Sequence, residues 1–216
     1  MKADTVGTIT PAILVTLNPG ERILTPHGLM LYKEPNVKLN RKTLKSLGVG
    51  MSELMAYSAM GAKEEEYFLV EFEGPGNVTL SRDKGGEARI LPLAPGQTVQ
   101  VAQGHLVGLE PTVRYSPVLV ARYQNPLNPN EVQMLWADRL TGPGTIILQG
   151  HGNVLSFNLQ PGESMRTSVP AFLLASQTVG IQVQTQFPPN PTGIVTRPLT
   201  QAYLFGPGTV MLQSGT

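Results

Sequence analysis

Cysteine is absent from the 216-residue chain, so disulfides, thiolate metal ligands and a Cys nucleophile are all excluded. Histidine is scarce: His27, His105 and His151 each stand alone, with no second His at metal-ligand spacing, and a turn or surface role is expected for each. Neither H-E-x-x-H nor a cupin-like H-x-H is present, no P-loop Gly-Lys-Ser/Thr follows a glycine-rich stretch, and no Ser sits in a G-x-S-x-G elbow. No catalytic residue, metal or cofactor is therefore expected, and the chain reads as a non-enzyme. Charged residues make up only 14% and the net charge is +1, so no global field draws in nucleic acid or an anionic membrane. Long apolar runs are missing as well. The start "MKADTVGTIT" has no apolar h-region, and the expectation is a soluble, cytoplasmic protein without signal peptide or membrane span.

Glycine (23) and proline (19), by contrast, are plentiful and organised. The phrase Gly-Pro-Gly-x-(Val/Ile)-x-Leu occurs three times, opening on Gly74, Pro75, Gly76, on Gly142, Pro143, Gly144, and on Gly206, Pro207, Gly208. Leu-x-Pro-Gly also occurs three times, ending on Pro19, Gly20, on Pro95, Gly96, and on Pro161, Gly162. A weaker echo links "EPNVK", "EPTVR" and "SQTVG". Motifs that recur in one order define a repeat of about 65 residues. After each Gly-Pro-Gly the apolar residues alternate, Val78 and Leu80, Ile146 and Leu148, Val210 and Leu212, which is the strand period. Gly-Pro-Gly reads as a rigid corner or bulge, and Leu-x-Pro-Gly as a turn whose glycine takes positive φ. One short helix is predicted in "MSELMAYSAMG", behind a Ser52 cap.

The last Gly-Pro-Gly has no Leu-x-Pro-Gly after it, and the first Leu-x-Pro-Gly has no Gly-Pro-Gly before it. This predicts one compact domain of three units, at about 67–130, 131–195 and a split unit of 196–216 with 1–66. The strand around Val210 and Leu212 would close onto the segment Leu14 to Gly20, around an approximate threefold axis that hides sheet edges.

From about Thr5 to Ser214 these motifs resemble the "altered inheritance of mitochondria" family. The resemblance implies an all-β fold of β-sandwich units similar to the tryptophan RNA-binding attenuation protein (TRAP), three per chain. Eukaryotic members of the family are associated with mitochondrial inner-membrane organisation, and bacterial members have no settled biochemical role. The lack of a transit peptide points to a prokaryotic member. None of the matching motifs would carry a tryptophan pocket or RNA-reading residues.

The first unit departs from the others by its length: Val37 to Phe72 spans 35 residues, against 27 from Val113 to Leu140 and 25 from Val179 to Leu204. The extra stretch carries Lys38, Arg41, Lys42 and Lys45, followed by Met51, Leu54 and Met55. This is the candidate interaction arm. A basic strip beside a Met-rich stripe suits a protein partner, and it is compatible with peripheral membrane contact. Nucleic acid is disfavoured, because the arm interleaves no aromatic for stacking and Trp136 stands in the acidic context "WADR". Loops around Val49, Asn125 and Pro191 would share one face, and Glu64, Glu65 and Glu66 read as a solvated charge run. The function expected is a scaffold or protein-interaction role, with a small-molecule or RNA binding module as the alternative. Homo-oligomer formation stays compatible with three units in one chain.

Overall fold

The computed structural model describes residues 1–8, 10–59, 68–82, 85–125, 130–186 and 199–215. The chain begins with β1 (Lys2–Val6), β2 (Ala12–Leu17), β3 (Arg22–Pro26), β4 (Met30–Lys33), β5 (Lys38–Thr43), the helix α1 (Met51–Ala59), β6 (Phe68–Glu73) and β7 (Gly76–Leu80). It continues with β8 (Ala88–Leu93), β9 (Thr98–Ala102), β10 (Leu106–Leu109), β11 (Arg114–Gln124), β12 (Val132–Thr141) and β13 (Gly144–Gln149). The last third holds β14 (Val154–Leu159), β15 (Ser164–Ser168), β16 (Phe172–Ser176), β17 (Gly180–Gln186), β18 (Leu199–Phe205) and β19 (Gly208–Gln213). Among the described residues the fold is all-β apart from α1 and short 3-10 turns.

Four antiparallel sheets result, in the orders β1-β2-β7-β4, β5-β6-β3-β10-β13-β8, β11-β12-β9-β16-β19-β14 and β15-β18-β17. The same registers recur: Leu17 lies opposite Gly76, Leu93 opposite Gly144 and Leu159 opposite Gly208. Alternation in "AILVTL" buries Ile13, Val15 and Leu17 on one face of β2. In β13 both faces are covered, and Ile146, Ile147 and Leu148 are all fully buried. Three apolar clusters form the core, and each draws residues from neighbouring repeats; Val107 and Ile147, for example, pack with Ile23, Phe72 and Val78.

The repeated motifs meet in space. The amides of Gly74, Gly142 and Gly206 donate to the carbonyls of Glu21, Gln97 and Glu163, just past each Leu-x-Pro-Gly, at 3.0, 2.9 and 2.9 Å. A Cβ on Gly74 would lie 2.5 Å from the Asn18 carbonyl oxygen, and one on Gly142 or Gly206 would press in the same way on Ala94 or Gln160. The third glycine of each phrase has φ of 136°, 138° or 143° and lies against Val37, Val113 or Val179. The weak echo thereby acquires a role, since the carboxylates of Glu34 and Glu110 accept from the amides of Asn77 and Thr145, and the Ser176 hydroxyl accepts from Thr209. The Gly-Pro peptide is cis at all three corners, and Gly20, Gly96 and Gly162 take positive φ as the turn reading requires.

Two expectations are corrected. The C-terminal strand does not join the segment near Leu14 to Gly20: β19 lies between β14 and β16, while β2 lies between β1 and β7. Pairing runs from the strand before each Leu-x-Pro-Gly to the strand after the following Gly-Pro-Gly, joining the ends of 12–80, 88–149 and 154–213. These pairings group the strands about a third of a unit C-terminal to the bounds expected from sequence, because a repeating pattern shows its period but not which turn and corner pack together. Ser52 is also not a cap, because α1 already begins at Met51 and the Leu54 amide donates to the Gly50 carbonyl at 3.0 Å.

Gly144→Ala should lower unfolding free energy by at least about 2 kcal/mol, since it combines forbidden φ with overlap against Val113 and Thr112. Gly96→Ala, with φ of 77° and nothing within 4 Å, should cost only about 1 kcal/mol. Urea melts of the two variants check this, and equal losses would show that the close approach at the corner is unimportant.

Candidate functional site

A cavity of about 600 Å³ lies between the first and second repeats. Its walls are the β3–β4 turn (Pro26, His27, Leu29), the start of β6 (Phe68, Leu69), Leu44 after β5, and the β9–β10 turn (Gln103, Gly104). Arg82, Leu106, Tyr115 and Asp138 complete it. His27 stacks on Phe68 with ring centroids 5.1 Å apart, and the guanidinium of Arg41 lies 3.9 Å from the same ring's centroid.

Asp138 is the unexpected member. β12 holds it opposite Val101 of β9 and Pro117 of β11, and only 6% of it is exposed. Tyr115 Oη donates to its Oδ1 at 2.8 Å. One hydrogen bond to a carboxylate contributes about 1.5–3 kcal/mol, whereas dehydrating the ion costs several more. Burial therefore dominates and raises the Asp138 pKa to about 6, the Tyr115 bond opposing it. The carboxyl therefore changes protonation in the weakly acidic range, accepting hydrogen bonds as a carboxylate above it and able to donate one as the acid below it. At the corresponding repeat positions stand Val70 and Ala202, and Tyr115 aligns with Leu39 and Ile181. A charged residue in an apolar repeat column was the signal that sequence reading passed over.

One of the three histidines departs from the surface role expected for it. His105 is buried beside Arg82, and its ring centroid lies 5.1 Å from that of His151, although the two stand 46 residues apart. Arg82 Nη1 lies 3.1 Å from both the Gln149 carbonyl, to which it donates, and His105 Nδ1. Burial lowers the His105 pKa to about 4 against the backbone bond to Gln149, with the charges of Arg82 and His151 adding to the effect. A neutral ring results. Among the described residues no group of three or more His, Asp or Glu side chains is placed to hold a metal.

The arm is partly what its sequence suggests. Lys38, Arg41 and Lys42 lie on β5, a sheet edge, where Lys38 and Lys42 reach Glu73 and Glu71 at 3.5 and 3.4 Å. Such pairs contribute at most about 1 kcal/mol at a surface, but they offset the basic strip locally. Lys45 lies on the 3-10 turn that follows. Leu54 packs against the core, whereas Met51 and Met55, one helical turn apart, are 64% and 67% exposed. Of the loops expected to share a face, Val49 is instead buried in the core. The other two lie mostly outside the described residues, as do Glu64, Glu65 and Glu66.

Asp138 and His105 act in opposite senses on stability. The raised Asp138 pKa makes stability fall as pH rises from about 4 to 6, and the lowered His105 pKa makes it rise from about 4 to 6.5, each by on the order of 3 kcal/mol. The natural chain should show a nearly flat profile in that window. In thermal or urea melts Asp138→Asn should make stability climb with pH and His105→Gln should make it fall; parallel profiles would contradict the assignment.

The family model for mitochondrial biogenesis AIM24 matches residues 4–215. The crystal structure of protein SPYM3_0169 from Streptococcus pyogenes is similar with a TM-score of 0.68 and 18% identity, over 99% of this chain and 93% of that one. At that identity the likeness speaks for the fold alone. No curated protein matches the chain. No helix among the described residues is long and apolar enough to cross a membrane. The full-length match agrees with the order of the repeated glycine and proline motifs, and the chain belongs to the mitochondrial biogenesis AIM24 family.

Proposed function

We propose that the protein is a non-enzymatic scaffold that docks a protein partner through the arm of its first repeat. The frame is read as TRAP-like, three units about an approximate threefold axis, and the setting as cytoplasmic. The observation that carries the reading is the pair Met51 and Met55. Leu54 anchors α1 on the core while these two flexible, polarisable side chains point to solvent beside a basic sheet edge. Two exposed methionines at i and i+4 form an apolar stripe that the fold itself does not use.

Met51→Glu with Met55→Glu should leave the melting temperature within a degree or two, since both side chains are solvated already. In a nuclease-treated lysate the double variant should lose at least about tenfold of a partner that the natural chain captures. If both baits recover the same material, the arm is only a solvated insertion. Capture that depends on anionic vesicles or on RNA would replace the protein partner with a membrane or nucleic acid.

A second reading, small-molecule binding, is favoured by the Asp138 and Tyr115 pair in the cavity, a polar pair that the repeat does not require. Compounds that raise the melting temperature of the natural chain should lose that effect in Asp138→Asn and Tyr115→Phe, and retention in both variants would place them elsewhere.

A further inference from the structure

The chain joins its repeats edge to edge, and it does so twice with the same two kinds of strand. At the first seam β10 runs beside β3, with Leu109 opposite Leu24. At the second β16 runs beside β9, with Leu174, Ala175 and Ser176 opposite Val101, Gln100 and Val99. Counted from the motifs, β4 is the counterpart of β10 and β16, and β15 is the counterpart of β3 and β9. Both β4 and β15 are outermost in their sheets.

Burial follows that difference. Leu31 stands in the position of Val107 and Leu173; those two are 0% exposed and Leu31 is 68% exposed. Met30 and Tyr32 beside it are also exposed, although Leu106 and Phe172, the counterparts of Met30, are buried. On β15, Met165 replaces the buried Ile23 and Val99 and is only partly covered. The molecule thus carries one half of a seam on β4 and the other half on β15.

We propose that β4 of one molecule pairs with β15 of a second copy of this chain, making between molecules the seam that the chain already makes within itself. This surface is separate from the Met51 and Met55 arm. Unpaired edge strands offer rows of N–H and C=O groups to any strand of matching register, and no strand matches better than the one whose counterparts already fill this role twice. The internal registers place Tyr32 opposite Thr167, Lys33 opposite Arg166 and Glu34 opposite Met165. The contact is head to tail, so it builds a ring of copies or an open row according to the rotation between them. Lys33 and Arg166 are like charges in opposition and weaken the seam. Each is drawn towards its own molecule, Lys33 Nζ donating to the Val37 carbonyl at 3.0 Å and Arg166 lying 4.6 Å from the Tyr203 ring centroid.

The absence of cysteine allows a direct test. Tyr32→Cys and Thr167→Cys are made as separate full-length chains with tags of different mass, mixed and mildly oxidised. The mixed disulfide should exceed that of a control pair, Tyr32→Cys with Leu155→Cys on the exposed face of β14, by at least about tenfold. Adding Leu31→Glu should remove that excess without changing the melting temperature, because a charge is buried only in the seam. Adding Arg166→Glu, which faces Lys33, should increase it. A mixed product no greater than the control, one indifferent to Leu31→Glu, or a double-cysteine chain that closes within a single molecule would each overturn the proposal.

Discussion

The contact between the Gly-Pro-Gly corner and the Leu-x-Pro-Gly turn is the constraint from which the remaining geometry follows. The first glycine approaches turn carbonyls so closely that no side chain fits, and its amide closes a hydrogen bond of about 3 Å onto the residue after the turn. The third glycine combines positive φ with a valine packed against its α-carbon. Together they set the registers of Leu17 with Gly76, Leu93 with Gly144 and Leu159 with Gly208. With these corners in place, each repeat sends one set of strands into one sheet and another set into the next. The repeats share sheets and cannot be separated into independent beads.

Function on such a frame is sought where one repeat departs from the others, since residues common to all three have the corners to explain them. Three departures stand out. The second repeat buries Asp138 and Tyr115 where its neighbours carry apolar side chains. The first repeat adds a basic edge strand and a helix with two exposed methionines. The first and last repeats keep seam strands that have no partner on their outer edge among the described residues. Arg41 on Phe68, with His27 on that ring as well, links the arm to the mouth of the cavity, so the first two departures adjoin.

Much of the fold was legible beforehand because it rests on local chemistry. Glycine and proline report backbone angles directly, and alternation of Val, Ile and Leu reports which face is buried. The corners, the turns with Gly20, Gly96 and Gly162, the helix near Met51 and the strands after each corner could all be placed from short stretches. The basic arm was legible as an insertion, although the pairing of Lys38 and Lys42 with Glu73 and Glu71 was not. Asp138 was passed over inside "WADR", because burial belongs to the strands on either side of it and not to its neighbours in sequence.

The amino-acid order by itself determined that the chain is built from strands, that two glycine-proline motifs recur in it three times, and where its backbone must turn. These follow from φ restrictions and side-chain periodicity that act within a few residues. Only the tertiary structure decided the phase of the repeat, the meeting of His105 with His151, the lowered pKa of His105 and the raised pKa of Asp138, and the exposure of Leu31 at a position buried twice elsewhere. Each of those depends on which distant strand lies alongside, and solvation and dielectric are properties of that assembled surrounding.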